Sequence, residues 1–367
     1  MKSGEMRKRK IFLFARTQFE NVGDAVINRE LALALRKFGA LDVYLGRCPT
    51  YFRNGIALDN VDGVNVRRLS LMSLLLHAFL SRLNYDSTYI FFAPGGKKSE
   101  LSLPKYTANL ILNYAIAALS LFGIRCVLFG VSYENLGKRH QKILKQRAVM
   151  LAAHVVRDNI TADYLRQCGV NYTAVASDLA FLIPPVSKTR SEAGFVCFSF
   201  RIDNSKYDKQ RFVELVRQIA VFDQRRILFL CQVVRDRDFM SDLYRSFEER
   251  MPGRCLYLDI SERAQDYRNV FDGCDVMFSN RLHALLLSAS RGVKPVAITT
   301  EGHDMKIRGI YEYLGMNEFL FDGHIEDENL LRLLSLKFPE TLLLSWSRSA
   351  QLIEDRLANV FNAERIE

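Results

Sequence analysis

The feature that most constrains this chain is an alternation that runs through it twice. Short runs of Ile, Val, Phe and Leu are each followed by a stretch whose apolar positions recur at helical spacing. In the first half, strands are predicted over Ile11–Ala15, Leu41–Leu45, Thr88–Phe92 and Arg125–Phe129. Helices are predicted from about Asp24 to Phe38, Lys105 to Leu121 and Lys138 to Ala153, and the half closes with Thr161–Cys168 and Val170–Ala176. The stretch from Phe181 to Gly194, with Pro184-Pro185 and a polar run behind it, reads as a linker. The alternation then resumes with strands over Phe195–Phe200, Ile227–Cys231, Cys255–Leu258, Asp275–Phe278 and Pro295–Ile298. Its helices fall near Tyr207–Phe222, Phe239–Arg250 and Ile307–Leu314, and a last one spans Leu342–Phe361. Strands that alternate with helices build βαβ units and a parallel sheet. The expected fold is α/β: two Rossmann-like domains facing each other across a cleft. Residues 1–185 form the first domain, 193–345 the second, and 346–367 a C-terminal helix packing back on the first.

With 367 residues the chain is long enough for two cores. Lys plus Arg is 51 against 41 Asp plus Glu, a net charge of +10 spread along the sequence. That surplus suits an anionic substrate or an anionic membrane surface. Nucleic acid would need a dense basic arm, a zinc-finger spacing or an RNP-type aromatic motif, and none is present beyond the basic N-terminus. The seven Cys are scattered with no C-x-x-C pair, which fits core residues in a reducing compartment rather than a disulfide framework or a zinc site. The apolar stretch after the basic N-terminus, Ile11–Ala15, is too short for a signal sequence or a membrane span. Leu69–Leu83, interrupted by Ser73, His77, Ser81 and Arg82, reads as an amphipathic or buried helix. The expected location is cytoplasmic, with peripheral contact at the inner face of a membrane as the alternative.

Chemistry in such folds gathers where strands end and helices begin. Asn21-Val22-Gly23-Asp24 follows the first strand: Gly23 would let backbone approach a ligand, and Asp24 would act on it or cap the helix. Pro94-Gly95-Gly96-Lys97-Lys98 breaks off the strand Thr88–Phe92, either as an anion-binding glycine pair or as a flexible turn. Neither run matches a dinucleotide fingerprint or a Walker loop. Arg157-Asp158 precedes a helix, where a surface ion pair is the plain alternative to a ligand site. The sharpest cluster is Ser279-Asn280-Arg281-Leu282-His283: Arg281 offers a fixed guanidinium fork for a carboxylate or phosphate, and His283 can move a proton near neutral pH. His303, Asp304, Lys306 and Arg308 add polar and cationic groups downstream. No metal-ligand spacing links His77, His140 and His154.

From Ile11 to Leu314 this ordered series resembles the polysaccharide pyruvyl transferase family. The marks are Asn21-Val22-Gly23-Asp24, Gly95-Gly96, Arg157-Asp158, Ser177-Asp178-Leu179-Ala180-Phe181, Arg201, Arg281-Leu282-His283, Gly292-Val293-Lys294-Pro295 and Lys306 with Leu314-Gly315. The glycine run is poorer than the family's, and His303 stands where a tyrosine is common. The resemblance implies a GT-B-like pair of domains and transfer of a pyruvyl group from phosphoenolpyruvate onto two hydroxyls of a sugar, forming a cyclic ketal and releasing phosphate. It implies no metal or cofactor beyond that donor. By the same analogy His283 is the general acid, and Arg281, Arg157, Arg201 and Lys306 bind the donor. Asn21, Gly23, Gly95 and Gly96 line the substrate, and Asp24 orients an acceptor hydroxyl or acts as base. The acceptor would be a glycan, or a nucleotide-linked or lipid-linked sugar. The competing expectations are a nucleotide-sugar glycosyltransferase on the same scaffold and a non-catalytic glycan- or anion-binding protein.

Overall fold

The computed structural model describes residues 8–187, 194–202, 209–300, 304–322, 325–336 and 338–363, with backbone alone at 97–99. Contacts divide the chain into two compact units. Met1–Phe19, Ile27–Leu179 and Ser349–Glu367 make the first; Glu20–Val26 and Ala180–Arg348 make the second.

Among the described residues, the first unit holds eight strands: β1 (Arg9–Phe14), β2 (Ala40–Tyr44), β3 (Val64–Arg67), β4 (Ser87–Phe92), β5 (Gly95–Ser99), β6 (Ile124–Leu136), β7 (Ala153–Val156) and β8 (Ala174–Val175). They form one parallel sheet in the order β3-β2-β1-β4-β6-β7-β8, with β5 added beside β6. The sheet is covered on both faces, which is why β4 is buried along its whole length and reads as a continuous apolar run. On one face Phe12, Tyr44, Ile90, Phe92 and Leu128 pack against helices Leu71–Ser81, Leu103–Leu121 and Lys138–Ala148 through Leu74, Ile116 and Leu144. On the other, Tyr89 and Phe91 meet Phe361 at ring-centroid distances of 4.7 and 5.8 Å, and Phe361 stacks on Phe38 at 4.5 Å. Phe361 belongs to the last helix, Glu340–Asn362.

Three local expectations are corrected here. The run after β4 is not a turn. Pro94 has no N–H to give a ladder, so pairing lapses there, but Gly95 resumes it as β5 alongside Val131–Leu136 of β6. The predicted strand Arg125–Phe129 therefore extends to Leu136, past Gly130, whose φ of +70° accompanies a register shift against β7. The helix predicted to reach Ala153 stops at Ala148: Met150 turns back onto Arg147, and Ala152 N–H donates to Cys126 at 2.9 Å to begin β7.

The second unit holds β9 (Phe195–Ser199), β10 (Ile227–Cys231), β11 (Cys255–Asp259), β12 (Cys274–Ser279), β13 (Lys294–Thr299) and β14 (Leu320–Asp322), parallel in the order β11-β10-β9-β12-β13-β14. Phe198, at its centre, stacks with Phe278 at 5.4 Å and with Phe229 at 5.9 Å. Lys294 is buried because its ammonium donates to the carbonyls of Leu333, Leu334 and Leu336, satisfying the end of helix Asp327–Ser335. Trp346 packs on Phe181 at 4.7 Å and donates to Ile183 O at 2.8 Å, which fixes the chain as it enters this unit. Most of the polar run of the expected linker lies outside the described residues. The seven cysteines form no disulfide, and all but Cys168 are buried.

Candidate functional site

In both sheets the chain winds outward in opposite directions from two central neighbours, β1 and β4 in the first unit, β9 and β12 in the second. At such a switch point the loops beyond the strand ends diverge and leave room for a ligand. In the second unit the loops after β9 and β12 carry Arg201 and Arg281-Leu282-His283.

Buried polar side chains tie those two strand ends together. Ser279 Oγ donates to Ser199 O and accepts from Arg281 N at 3.0 Å. The Asn280 amide clasps the backbone of Arg201 from both sides, accepting from its N–H at 2.6 Å and donating to its carbonyl at 2.8 Å. Both guanidiniums therefore start from a rigid base, which is what a preorganised anion site requires.

Arg281 caps helix Leu282–Ala289 and is about nine-tenths buried. Its guanidinium pairs with Asp236, itself buried, at the end of the turn that follows β10. Burial pulls the Arg281 pKa below its ordinary value; Asp236 opposes the shift, and the nearby charges of Arg201 and Arg235 add to it. Its Nε has no hydrogen-bond partner among the described residues. Arg201 pairs through Nη2 with Asp304 Oδ1 at 2.9 Å. Asp304 occupies the left-handed region (φ +56°), which a short polar side chain tolerates, and starts helix Met305–Leu314. Lys306 is half-buried in the first turn of that helix. Arg308 pairs instead with Asp322 and donates to Thr299 Oγ1 at 2.9 Å. His303 lies outside the described residues.

His283 is the second residue of helix Leu282–Ala289 and is half-buried. Its ring rests on Gly23: a Cβ placed there would lie 2.2 Å from His283 Nδ1 and 2.4 Å from its Cβ. The segment reaches this position because Asn21 bridges antiparallel to Val233, Val22 N–H donates to Gln232 O at 3.3 Å and Val234 N–H donates to Glu20 O at 3.4 Å. Gly23 does not need the left-handed region, so the requirement for glycine is the close approach of His283 rather than the turn. Asn21 supports the start of the helix, its Oδ1 accepting from Gly23 N at 3.1 Å, and Asp24 lies buried in the first turn of Val22–Leu35.

The family model for polysaccharide pyruvyl transferase matches residues 21–302, from Asn21 to beyond His283. This chain belongs to the polysaccharide pyruvyl transferase family. It is an enzyme that transfers a pyruvyl group from phosphoenolpyruvate to a glycan acceptor, and the family uses that donor without a metal cofactor. Comparison with curated protein sequences gives no match. Among solved structures it is similar to a glycosyltransferase from Rickettsia africae (12% identity, TM-score 0.62, covering 97% of this chain and 98% of that one). It is also similar to Anabaena HepE in complex with UDP and glucose (13%, 0.59, 97% and 100%) and to the UDP-GlcNAc 2-epimerase of Methanocaldococcus jannaschii (10%, 0.54, 91% and 93%). At these identities the likeness is one of fold, and the expected GT-B-like, two-domain α/β class stands.

The fold brings two marks far apart in the sequence, Gly23 and His283, into contact, and sets Arg201 beside Arg281 across adjacent strand ends. Arg157, Gly95 and Gly96 belong to the first unit. Arg157-Asp158 is not a surface pair: the Arg157 guanidinium is buried on Asp178 at 2.9 Å, and Asp158 caps helix Asn159–Gln167 by accepting from Thr161 N at 2.6 Å. Two family marks thus hold each other. Gly95 is buried and Gly96 exposed in β5, and the Lys97 and Lys98 side chains lie outside the described residues. Sequence reading passed over Asp236 and Arg235. The signal was there in Val234-Arg235-Asp236-Arg237-Asp238, a charge run directly after β10. Among the described residues, no group of three or more His, Cys, Asp or Glu is placed to hold a metal ion.

Proposed function

We propose that the strand ends β9 and β12 bind phosphoenolpyruvate and that His283 protonates it. The observation that carries this reading is the buried Arg281, paired with Asp236 and with Arg201 and Arg235 adding positive charge around it. Like charges gathered about a buried guanidinium cost free energy that a bound anion offsets. Phosphoenolpyruvate brings a carboxylate and a phosphate, enough to engage Arg281, Arg201 and Lys306 together. His283, in its imidazolium form, gives a proton to the methylene carbon, and C2 becomes electrophilic. One sugar hydroxyl adds to C2; phosphate then leaves with the C–O bonding pair, assisted by the arginines. The second hydroxyl closes the ketal. Of the two hydroxyl protons, one restores His283 and the other leaves with phosphate. Asp24, in the first turn beside Gly23, orients or deprotonates an acceptor hydroxyl. Arg157 serves as scaffold, since its guanidinium is engaged by Asp178.

The acceptor we favour is a lipid-linked or nucleotide-linked sugar, modified by a cytoplasmic enzyme that works peripherally at the inner membrane face. The basic chain and its apolar helix at Leu71–Ser81 support that reading. Among the described residues no helix is long and apolar enough to cross a membrane.

Titration calorimetry tests the donor assignment. Phosphoenolpyruvate should bind the wild type and bind Arg281→Gln roughly tenfold to a hundredfold more weakly, the usual loss for a hydrogen bond to a charged group. Undiminished binding by the variant would remove Arg281 from the donor site. Binding of a UDP-sugar in place of phosphoenolpyruvate would favour a glycosyltransferase reaction.

A further inference from the structure

Three helices cover the same face of the first sheet: Leu71–Ser81, Leu103–Leu121 and Lys138–Ala148. Their inner sides are accounted for by the core. Their outer sides are unusual. Along the first helix and its flanks Leu69, Met72, Leu76, Phe79, Leu80 and Leu83 are exposed, at helical spacing, and no Asp, Glu, Lys or Arg occurs between Arg68 and Arg82. Along the second, Leu103, Ile111, Tyr114, Leu121 and Phe122 are exposed, again with no charge between Lys105 and Arg125. The two stripes meet where Phe79 packs edge-on against Phe122 at 5.0 Å. An apolar surface of this extent on a folded domain marks a place of contact.

The third helix indicates what the contact is. It is bound to the second by Arg147, which donates to Asn113 Oδ1 at 2.8 Å and to Asn109 Oδ1 at 2.9 Å, and by Asn113, which donates to Ile143 O at 3.1 Å. Its exposed side carries Lys138, Arg139, Lys142 and Lys145, and the sequence holds no Asp or Glu from Asn135 to Arg157. The acid that follows the first helix in sequence and the one that precedes the second accept from backbone amides: Asp86 from Lys8 N at 2.8 Å, Glu100 from Leu101 N at 2.8 Å. A charge-free apolar face edged by a purely basic one complements the acyl boundary and headgroups of an anionic bilayer.

We infer that this three-helix face docks on an anionic lipid surface, with Leu76, Phe79, Leu121 and Phe122 entering the headgroup–acyl boundary and the lysines of Lys138–Ala148 resting on phosphates. The inference deepens the peripheral-membrane part of the proposed function and uses no residue of the donor site.

Sedimentation with vesicles tests it, using the full chain and two lipid compositions, phosphatidylcholine alone and an equimolar mixture with phosphatidylglycerol. The wild type should partition onto the mixed vesicles and much less onto the neutral ones. Each lysine near an anionic surface contributes about fivefold, so Lys138→Gln, Lys142→Gln and Lys145→Gln together should weaken binding about a hundredfold. Leu76→Glu with Leu121→Glu, both at exposed positions, should abolish it at an unchanged melting temperature. His283→Ala should bind vesicles as the wild type does, so a failure here is distinguishable from a failure of the donor assignment. No partition of the wild type onto mixed vesicles, or partition untouched by either set of substitutions, overturns the inference. So does a wild-type dimer that Leu76→Glu with Leu121→Glu makes monomeric while neither binds vesicles, which would assign the face to a second copy of the chain.

Discussion

Gly23 and Asp236 each touch a residue of the site, His283 and Arg281 respectively. A methyl group at position 23 would fall within 2.4 Å of His283 Cβ and Cγ as well as Nδ1, so the ring as a whole must move. Gly23→Ala should therefore lower kcat while leaving phosphoenolpyruvate binding close to the wild-type value, a separation that steady-state kinetics and calorimetry can read. Asp236→Asn leaves the buried Arg281 charge without its counter-ion and should cost about 3 kcal/mol of stability in urea unfolding. These two predictions differ in kind because one residue excludes volume and the other balances charge. The same distinction explains what could be read beforehand. Arg281 and His283 stand out in sequence because a guanidinium and an imidazole fall together at a strand end. Asp236 is one acid in a charged run, and only the folded chain selects it as the partner of Arg281.

At the scale of elements, strand ends were legible and strand interruptions were not. Ile227–Cys231 is recovered residue for residue because a buried parallel strand is a plain apolar run. β5 was read as a breaker because Pro94-Gly95-Gly96 has turn composition, whereas the neighbouring strand β6 supplies its pairing. The short edge elements β3 and β14 also escaped, since few apolar residues declare them. One prediction belongs to this scale. His154 in β7 is buried, with Tyr133 OH 3.1 Å from Nε2 and Asn171 O 3.0 Å from Nδ1. Burial pulls its pKa down to about 4, with Arg147 acting in the same direction. Between that value and the ordinary 6.5 the unfolded chain binds a proton that the folded chain does not. The stability contribution is therefore complete above pH 6.5 and lost as pH falls toward 4, by about 3 kcal/mol. Unfolding measured from pH 7 to 4 should show this loss, and His154→Gln should flatten it.

For the molecule as a whole, the repeated alternation identified the α/β class, and two parallel sheets with their switch points follow from it. The assignment of residues to units was less legible. Glu20–Val26 lies early in the chain yet counts with the second unit, because backbone bonds to Gln232 and Val234 hold it there. A linear reading has no access to that pairing. The solved structures that share this architecture at 10–13% identity include a glycosyltransferase and an epimerase, so the fold alone does not select the reaction and the strand-end residues must. In the proposed mechanism His283 supplies the proton that starts pyruvyl transfer. The most direct test of that step is phosphate release from phosphoenolpyruvate across a panel of lipid-linked and nucleotide-linked sugar acceptors, with wild type and His283→Ala side by side. Acceptor-dependent release that falls by about 10²–10⁴-fold in the variant, at little-changed donor affinity, is the predicted result. Release that proceeds at the wild-type rate without His283 would contradict it.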